Sequence, residues 1–135
     1  MEKLKKPDSF WKEKLSSEQY AVCRQSGTER PFTGQYYHHS EPGIYSCVAC
    51  DLPLFRSEQK YESGSGWPSY WAPLDPAHIE VRVDDSHGMV REEIRCARCE
   101  SHLGHVFDDG PEPTGKRFCV NSLALKFSSA STTSK

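Results

Sequence analysis

Polar and apolar residues alternate along this chain in short runs, and few of the runs keep a helical period. The exception is the polar N-terminal stretch. Ser16-x-x-Gln19 forms a capping-box pattern, with Leu15 and Tyr20 placed as a hydrophobic staple. Gly27 is the expected C-cap, which sets Cys23 near the end of a short helix. Pro31, Gly34, Pro42 and Gly43 then mark residues 28–43 as loop. Ile44-Tyr45-Ser46-Cys47 reads as a short strand, and residues 63–68 as a tight Gly-rich turn bearing Trp67. Ile79, Val81 and Val83 alternate with Glu80 and Arg82, the period of a half-buried strand. A turn over residues 84–88 sends the chain back along Met89 to Cys96. Two further strands are expected at 117–122 and 123–127. The Ser/Thr-rich stretch 128–135 reads as a disordered tail. Short strands separated by Gly/Pro turns predict one mainly β (α+β) antiparallel domain over residues 1–127.

Composition narrows the classes. At 135 residues a single domain is expected, and with 36% hydrophobic residues its core is modest. The formal charge of -2 lacks the basic excess of a nucleic-acid binder. No run approaches the roughly 20 apolar residues of a membrane span. Met1-Glu2-Lys3-Leu4-Lys5-Lys6 has no apolar h-region, so no secretory signal is expected. Free cysteines suit a reducing compartment, and the cytoplasm is the expected location. No feature calls for an obligate dimer, so a monomer is expected.

The six cysteines change the picture most. Cys47-Val48-Ala49-Cys50 and Cys96-Ala97-Arg98-Cys99 are two C-x-x-C knuckles, the donor set of a closed tetrahedral zinc site. Four protein ligands leave no position for water or substrate. One zinc per chain is therefore expected in a structural role, supplementing the small core. Chemistry then falls to Cys23 and Cys119.

Arg117-Phe118-Cys119-Val120-Asn121-Ser122 carries the sharpest signal. Side chains alternate on a strand, so Phe118 and Val120 point to the core while Arg117, Cys119 and Asn121 share the other face. A neighbouring guanidinium favours the reactive thiolate. Asn121 offers a donor and an acceptor for a polar substrate group. The plainer alternative is a small, inert strand cysteine. Upstream, His102 and His105 would face opposite ways on a regular strand, but Gly104 permits a bulge that brings both to one side. They would then hold a water or donate protons near neutral pH. An incidental surface strand is the competing reading. Trp67, between Gly66 and Pro68, reads as a pocket wall or as core.

Five segments, 27–34, 63–69, 86–89, 102–107 and 117–122, together with the four paired cysteines, resemble the methionine-R-sulfoxide reductase B family over about residues 9–127. The resemblance implies two small antiparallel sheets, short N-terminal helices and a structural four-cysteine zinc site remote from catalysis. It implies reduction of the R epimer of methionine sulfoxide, protein-bound or free, with thioredoxin as reductant. Cys119 would be the nucleophile, with His102, His105 and Asn121 around the sulfoxide. Arg117 and Asp109 would tune the thiol, and Trp67, Phe107 and His87 would contact substrate. Attack on sulfur with protonation of its oxygen leaves Cys119 as a sulfenic acid, which a second thiol must resolve.

Many members of that family place the resolving cysteine at the position of Ser65. A hydroxyl forms no disulfide, and the paired cysteines are committed to metal. The remaining thiol, Cys23, is therefore expected to form a Cys23–Cys119 disulfide that thioredoxin reduces; direct reduction by an external thiol is the alternative. Two rival functions compete. His78-Ile79-Glu80 with Cys96-x-x-Cys99 superficially resembles a zinc nucleobase deaminase, but Arg95 stands where proline is expected. A non-enzymatic zinc module that binds a partner protein would have no need of Cys119 between Arg117 and Asn121.

Overall fold

The structure, a computed structural model, describes residues 2–85 and 88–129. Among the described residues two short helices, α1 (Asp8–Lys14) and α2 (Ser17–Gln25), precede nine strands. The capping box forms as the sequence predicts. Gln19 N donates to Ser16 Oγ at 3.1 Å, and Ser16 N donates to Gln19 Oε1 at 2.9 Å. The helix ends one residue earlier than expected, with Ser26 taking the left-handed conformation (φ 57°) and Gly27 N closing onto Ala21 O at 2.9 Å.

β1 (Gly43–Cys47) lies between β2 (Pro53–Arg56) and β9 (Leu125–Ser129) in a three-stranded sheet. The second sheet runs β3 (Lys60–Tyr61), β4 (Ser69–Tyr70), β8 (Arg117–Val120), β7 (His102–Phe107), β6 (Arg91–Cys96), β5 (Ile79–Asp84). Every pairing is antiparallel. The chain is thus mainly β with two antiparallel sheets, as expected. The C-terminal strands differ in their bounds. β8 stops at Val120, a 3-10 turn over Ser122–Ala124 follows, and β9 crosses to the other sheet. That strand takes in Ser128 and Ser129, which the composition assigned to the tail; residues 130–135 lie outside the described residues.

One core joins the sheets. Phe55 of β2 stacks on Tyr70 of β4 with ring centroids 4.3 Å apart, and Tyr45 of β1 meets the same ring edge-on at 5.4 Å. Val106, Phe118 and Val120 continue the packed surface. The apolar positions of β5 do not join it. Val81 and Val83 share the core-facing rows of Ile94 and Val106, yet they are 50% and 75% exposed. β5 is the edge strand of the six-stranded sheet, with a neighbouring strand on one side only, and these two side chains stay exposed there. The strand was legible from its alternation; its burial was not.

The opposite face of the large sheet is polar. Across the ladders, Ser69, Cys119, His105, Glu93 and Arg82 fall on one row. Gly104 makes this possible. A Cβ there would fall inside van der Waals contact of the Cys119 carbonyl oxygen, so only glycine lets β7 and β8 approach.

Candidate active site

Cys119 sits opposite His105 on one side and Ser69 on the other. A cavity of about 230 Å³ opens over it, walled by Trp67 and Phe107, with Ser65, His105, Arg117 and Asn121 around the thiol. The parity argument therefore holds: Arg117, Cys119 and Asn121 do line one space. Trp67 is a wall. Its indole Nε1 donates to Glu29 O at 3.0 Å, which fixes the ring. The turn that carries it includes Gly66 at φ 97°, packed beneath Pro31 and Phe32.

The electrostatics depart from expectation. Arg117 Nε and Nη2 donate to Asp109 at 2.9 and 3.2 Å, and the guanidinium lies 4.4 Å from the centre of the Phe107 ring. Its charge is thus shared with a carboxylate. Burial pushes the Cys119 thiol above its usual range, while the hydrogen bond from Ser65 and the charge of Arg117 oppose that without reversing it. Arg117 thus favours the thiolate as the sequence suggests, but burial outweighs it. Asn121 differs too. Its Oδ1 accepts from Glu29 N at 2.9 Å and its Nδ2 donates to Leu103 O at 3.0 Å, so the amide ties three segments together.

The two histidines come together. The register slips between Ile94 and Arg95 of β6, so Leu103 is the extra residue on β7. The His102 and His105 rings then meet edge-on, 5.6 Å apart. His105 Nε2 lies 2.9 Å from Asp84 Oδ2, and His102 Nδ1 lies 2.6 Å from Glu93 Oε2. His105 lines the cavity over Cys119; His102 lines an adjoining polar cavity that His105 also shares. His87 lies outside the described residues. Asp109 does not line the cavity and reaches the site through Arg117.

Cys23 does not line the cavity over Cys119. It is 3% exposed on α2, in the same core cluster as Cys50, Cys96 and Cys99, and burial pushes its thiol up to about 12. Glu93, Asp84 and Arg91 escaped the sequence analysis. Parity places Arg91 and Glu93 together on β6, but only the pairing register sets them beside the histidines.

The remaining cysteines form one buried group. Each knuckle repeats the same backbone loop. Cys47 N donates to Leu52 O and Asp51 N to Cys47 O, both at 2.8 Å; Cys96 N donates to Ser101 O at 3.0 Å and Glu100 N to Cys96 O at 2.9 Å. Asp51 and Glu100 both adopt positive φ (68° and 65°) just after the second cysteine. The four sulfurs lie within 4.8 Å of one another, with Cys47–Cys99 at 3.6 Å and Cys50–Cys96 at 3.5 Å. A tetrahedral ion with bonds of about 2.3 Å spaces its sulfurs by about 3.8 Å. The group therefore suits a metal ion held by thiolates alone. None of the four lines the cavity over Cys119.

A β fold with a buried group of four cysteines able to hold a metal ion, set apart from a cavity over a fifth, half-buried cysteine, defines a class of domain in which the candidate metal site and the candidate reactive thiol are separate. The family model described as the SelR domain matches residues 15–129, and the chain belongs to that family. Proteins named peptide methionine sulfoxide reductase MsrB resemble it over nearly their whole length. The one from Hahella chejuensis is 60% identical over 96% of this chain and 94% of its own. Those from Thioalkalivibrio sulfidiphilus and Agrobacterium fabrum are 61% and 54% identical, covering 91% and 93% of this chain and 90% and 93% of theirs.

Proposed function

We propose that this protein is an oxidoreductase that reduces the R epimer of methionine sulfoxide, in polypeptides or free, using Cys119 as nucleophile. The observation that carries the reading is the placement of Cys119 under an aromatic-walled cavity with His105 directly opposite on the neighbouring strand. Family membership supports it. Trp67 and Phe107 suit the methyl and methylene groups of the substrate, while the polar side of the cavity suits the sulfoxide oxygen.

Cys119 Sγ attacks the sulfoxide sulfur, the S–O bond breaks, and the oxygen ends on Cys119 as a sulfenic acid. The thiol proton is passed to that oxygen, by way of His105. The substrate sulfur gains two electrons and the cysteine sulfur loses two. A dithiol of the thioredoxin kind then reduces the sulfenic acid, releasing water and leaving its own disulfide. The burial of Cys23 beside the metal group supports direct attack by that external thiol over a Cys23–Cys119 disulfide, which would need α2 to leave the core. The group of four cysteines would hold one zinc ion, whose chemistry is to tie β1 to β6 and stabilise the fold. Among the described residues no helix is long and apolar enough to cross a membrane.

The test is a single turnover with excess sulfoxide and no reductant, followed by dimedone and peptide mapping. One methionine per chain with the adduct on Cys119 supports the reading. An unmodified Cys119 after turnover contradicts it.

A further inference from the structure

Glu93 is a carboxylate with no place in the scheme above, and it is almost wholly buried. It is 6% exposed, and its partner His102 is 3% exposed. Glu93 Oε2 lies 2.6 Å from His102 Nδ1, while Oε1 lies 3.0 Å from Arg95 Nε. An ionised carboxylate only accepts, so Nδ1 must carry the ring proton. That leaves Nε2 with its lone pair, and Nε2 has no hydrogen-bond partner among the described residues. A buried acceptor left open beside the reaction cavity is costly unless it serves the chemistry.

Resting on the reading of this protein as a sulfoxide reductase, we propose that Glu93 is a positioning residue for the proton transfer: it fixes the His102 tautomer so that Nε2 accepts a proton, and its charge stabilises the imidazolium formed. The sequence of transfers balances without another reactant. The proton leaving Cys119 by way of His105 is returned to the sulfoxide oxygen, with the open Nε2 of His102 beside it as a second acceptor, so both rings are unchanged after each turnover. His105 faces Cys119 directly, and His102 stands edge-on behind it. Asp84 does for His105 what Glu93 does for His102, but from a more exposed site shared with Arg91. A buried carboxylate set between an imidazole and a guanidinium is the more rigid guide.

Titratable or charged groups face His102 from each element packed against it. Glu93 and Arg95 come from β6, and His105 from its own strand. Asp84, Asp85 and Arg91 lie across the adjoining polar cavity. Cys23 and Arg24 of α2, with Glu100 of the second knuckle, border a smaller cavity behind the ring. Burial pushes the imidazole below its usual range, and Glu93 is the largest influence opposing that. Removing the carboxylate charge therefore moves the protonation of His102 further down.

Glu93→Gln and Glu93→Asp are compared with the wild type by kcat and KM against pH, with zinc content and melting temperature as controls. Glu93→Gln is expected to lower kcat on the order of ten- to a hundredfold with KM little changed. Its pH profile should move to lower pH. Glu93→Asp keeps the charge and should hold the profile near that of the wild type while recovering part of kcat. A Glu93→Gln enzyme with an unchanged profile, or with a uniform loss that Glu93→Asp does not relieve, overturns the proposal. Ring-nitrogen NMR of the wild type decides the matter even if the variants do not fold. A proton on Nδ1 of His102 is expected, and an Nε2–H tautomer overturns it. A wild type with no sulfoxide reductase activity would instead remove the reading on which the proposal rests.

Discussion

Ser65 Oγ lies 3.8 Å from Cys119 Sγ, within hydrogen-bonding reach of the sulfur. A cysteine at that position would stand where a disulfide can form. The bond requires the sulfurs to close to about 2 Å, so about 1.8 Å of movement is needed. The segment can supply it. Gly64 and Gly66 flank Ser65 with φ of 77° and 97°, and no strand pairing holds residues 62–68. A thiol tethered at this range acts at an effective concentration on the order of millimolar or more. Against an external thiol at tens of micromolar, the intramolecular route would lead by a factor on the order of a hundred. The assay is a single turnover of Ser65→Cys with excess sulfoxide, followed by intact mass. The wild type should gain one oxygen, about 16 Da, on Cys119. The variant should release the same one methionine but end about 2 Da lighter than the reduced chain, with a disulfide between the introduced cysteine and Cys119 seen by peptide mapping. A variant that keeps a dimedone-reactive Cys119 and forms no disulfide would refute the geometry that sets the Gly-rich turn over the nucleophile.

Other outcomes follow from the same geometry. The rate of Cys119 alkylation should rise with pH to a midpoint above the ordinary thiol value of about 8.5, because burial favours the protonated form; Arg117→Met and Ser65→Ala should each raise that midpoint further, and a midpoint near 7 would contradict the burial argument. Chelation, or Cys96→Ser, should remove about one zinc per chain and abolish cooperative melting, since structural zinc contributes on the order of 10 kcal/mol to folding. Phe55→Ala removes the ring stacked on Tyr70 in the core and should cost about 3–5 kcal/mol by urea denaturation. Cys23→Ser should keep thioredoxin-driven cycling; loss of cycling with single turnover intact would restore the Cys23–Cys119 route.

Local signals in the sequence translated directly. The capping box around Ser16, the paired knuckles and the alternation through Arg117, Cys119 and Asn121 depend on spacing alone, and spacing is what a sequence records. Pairing between distant strands is not. The row that carries Cys119, His105 and Glu93 exists only because β6, β7 and β8 meet in one register, with Leu103 bulged out of it. Glu93 consequently looked like one more charge in Arg91-Glu92-Glu93. Electrostatics were legible only in part for a related reason. Arg117 beside Cys119 does favour the thiolate, but the burial of the sulfur, which opposes it, and the pairing of Arg117 with Asp109 are tertiary facts. Cys23 was singled out by elimination, and elimination says nothing of distance. Val81 and Val83 kept the period of a strand that lies at the sheet edge, where both stay exposed.

The most direct measurement follows each epimer of racemic N-blocked methionine sulfoxide on a chiral column, with reduced protein and dithiothreitol, beside Cys119→Ser. Loss of the R epimer alone, abolished in the variant, is the predicted result. Persistence of both epimers with the wild type, or equal loss with Cys119→Ser, would contradict the assignment of this cavity and this thiol to sulfoxide reduction.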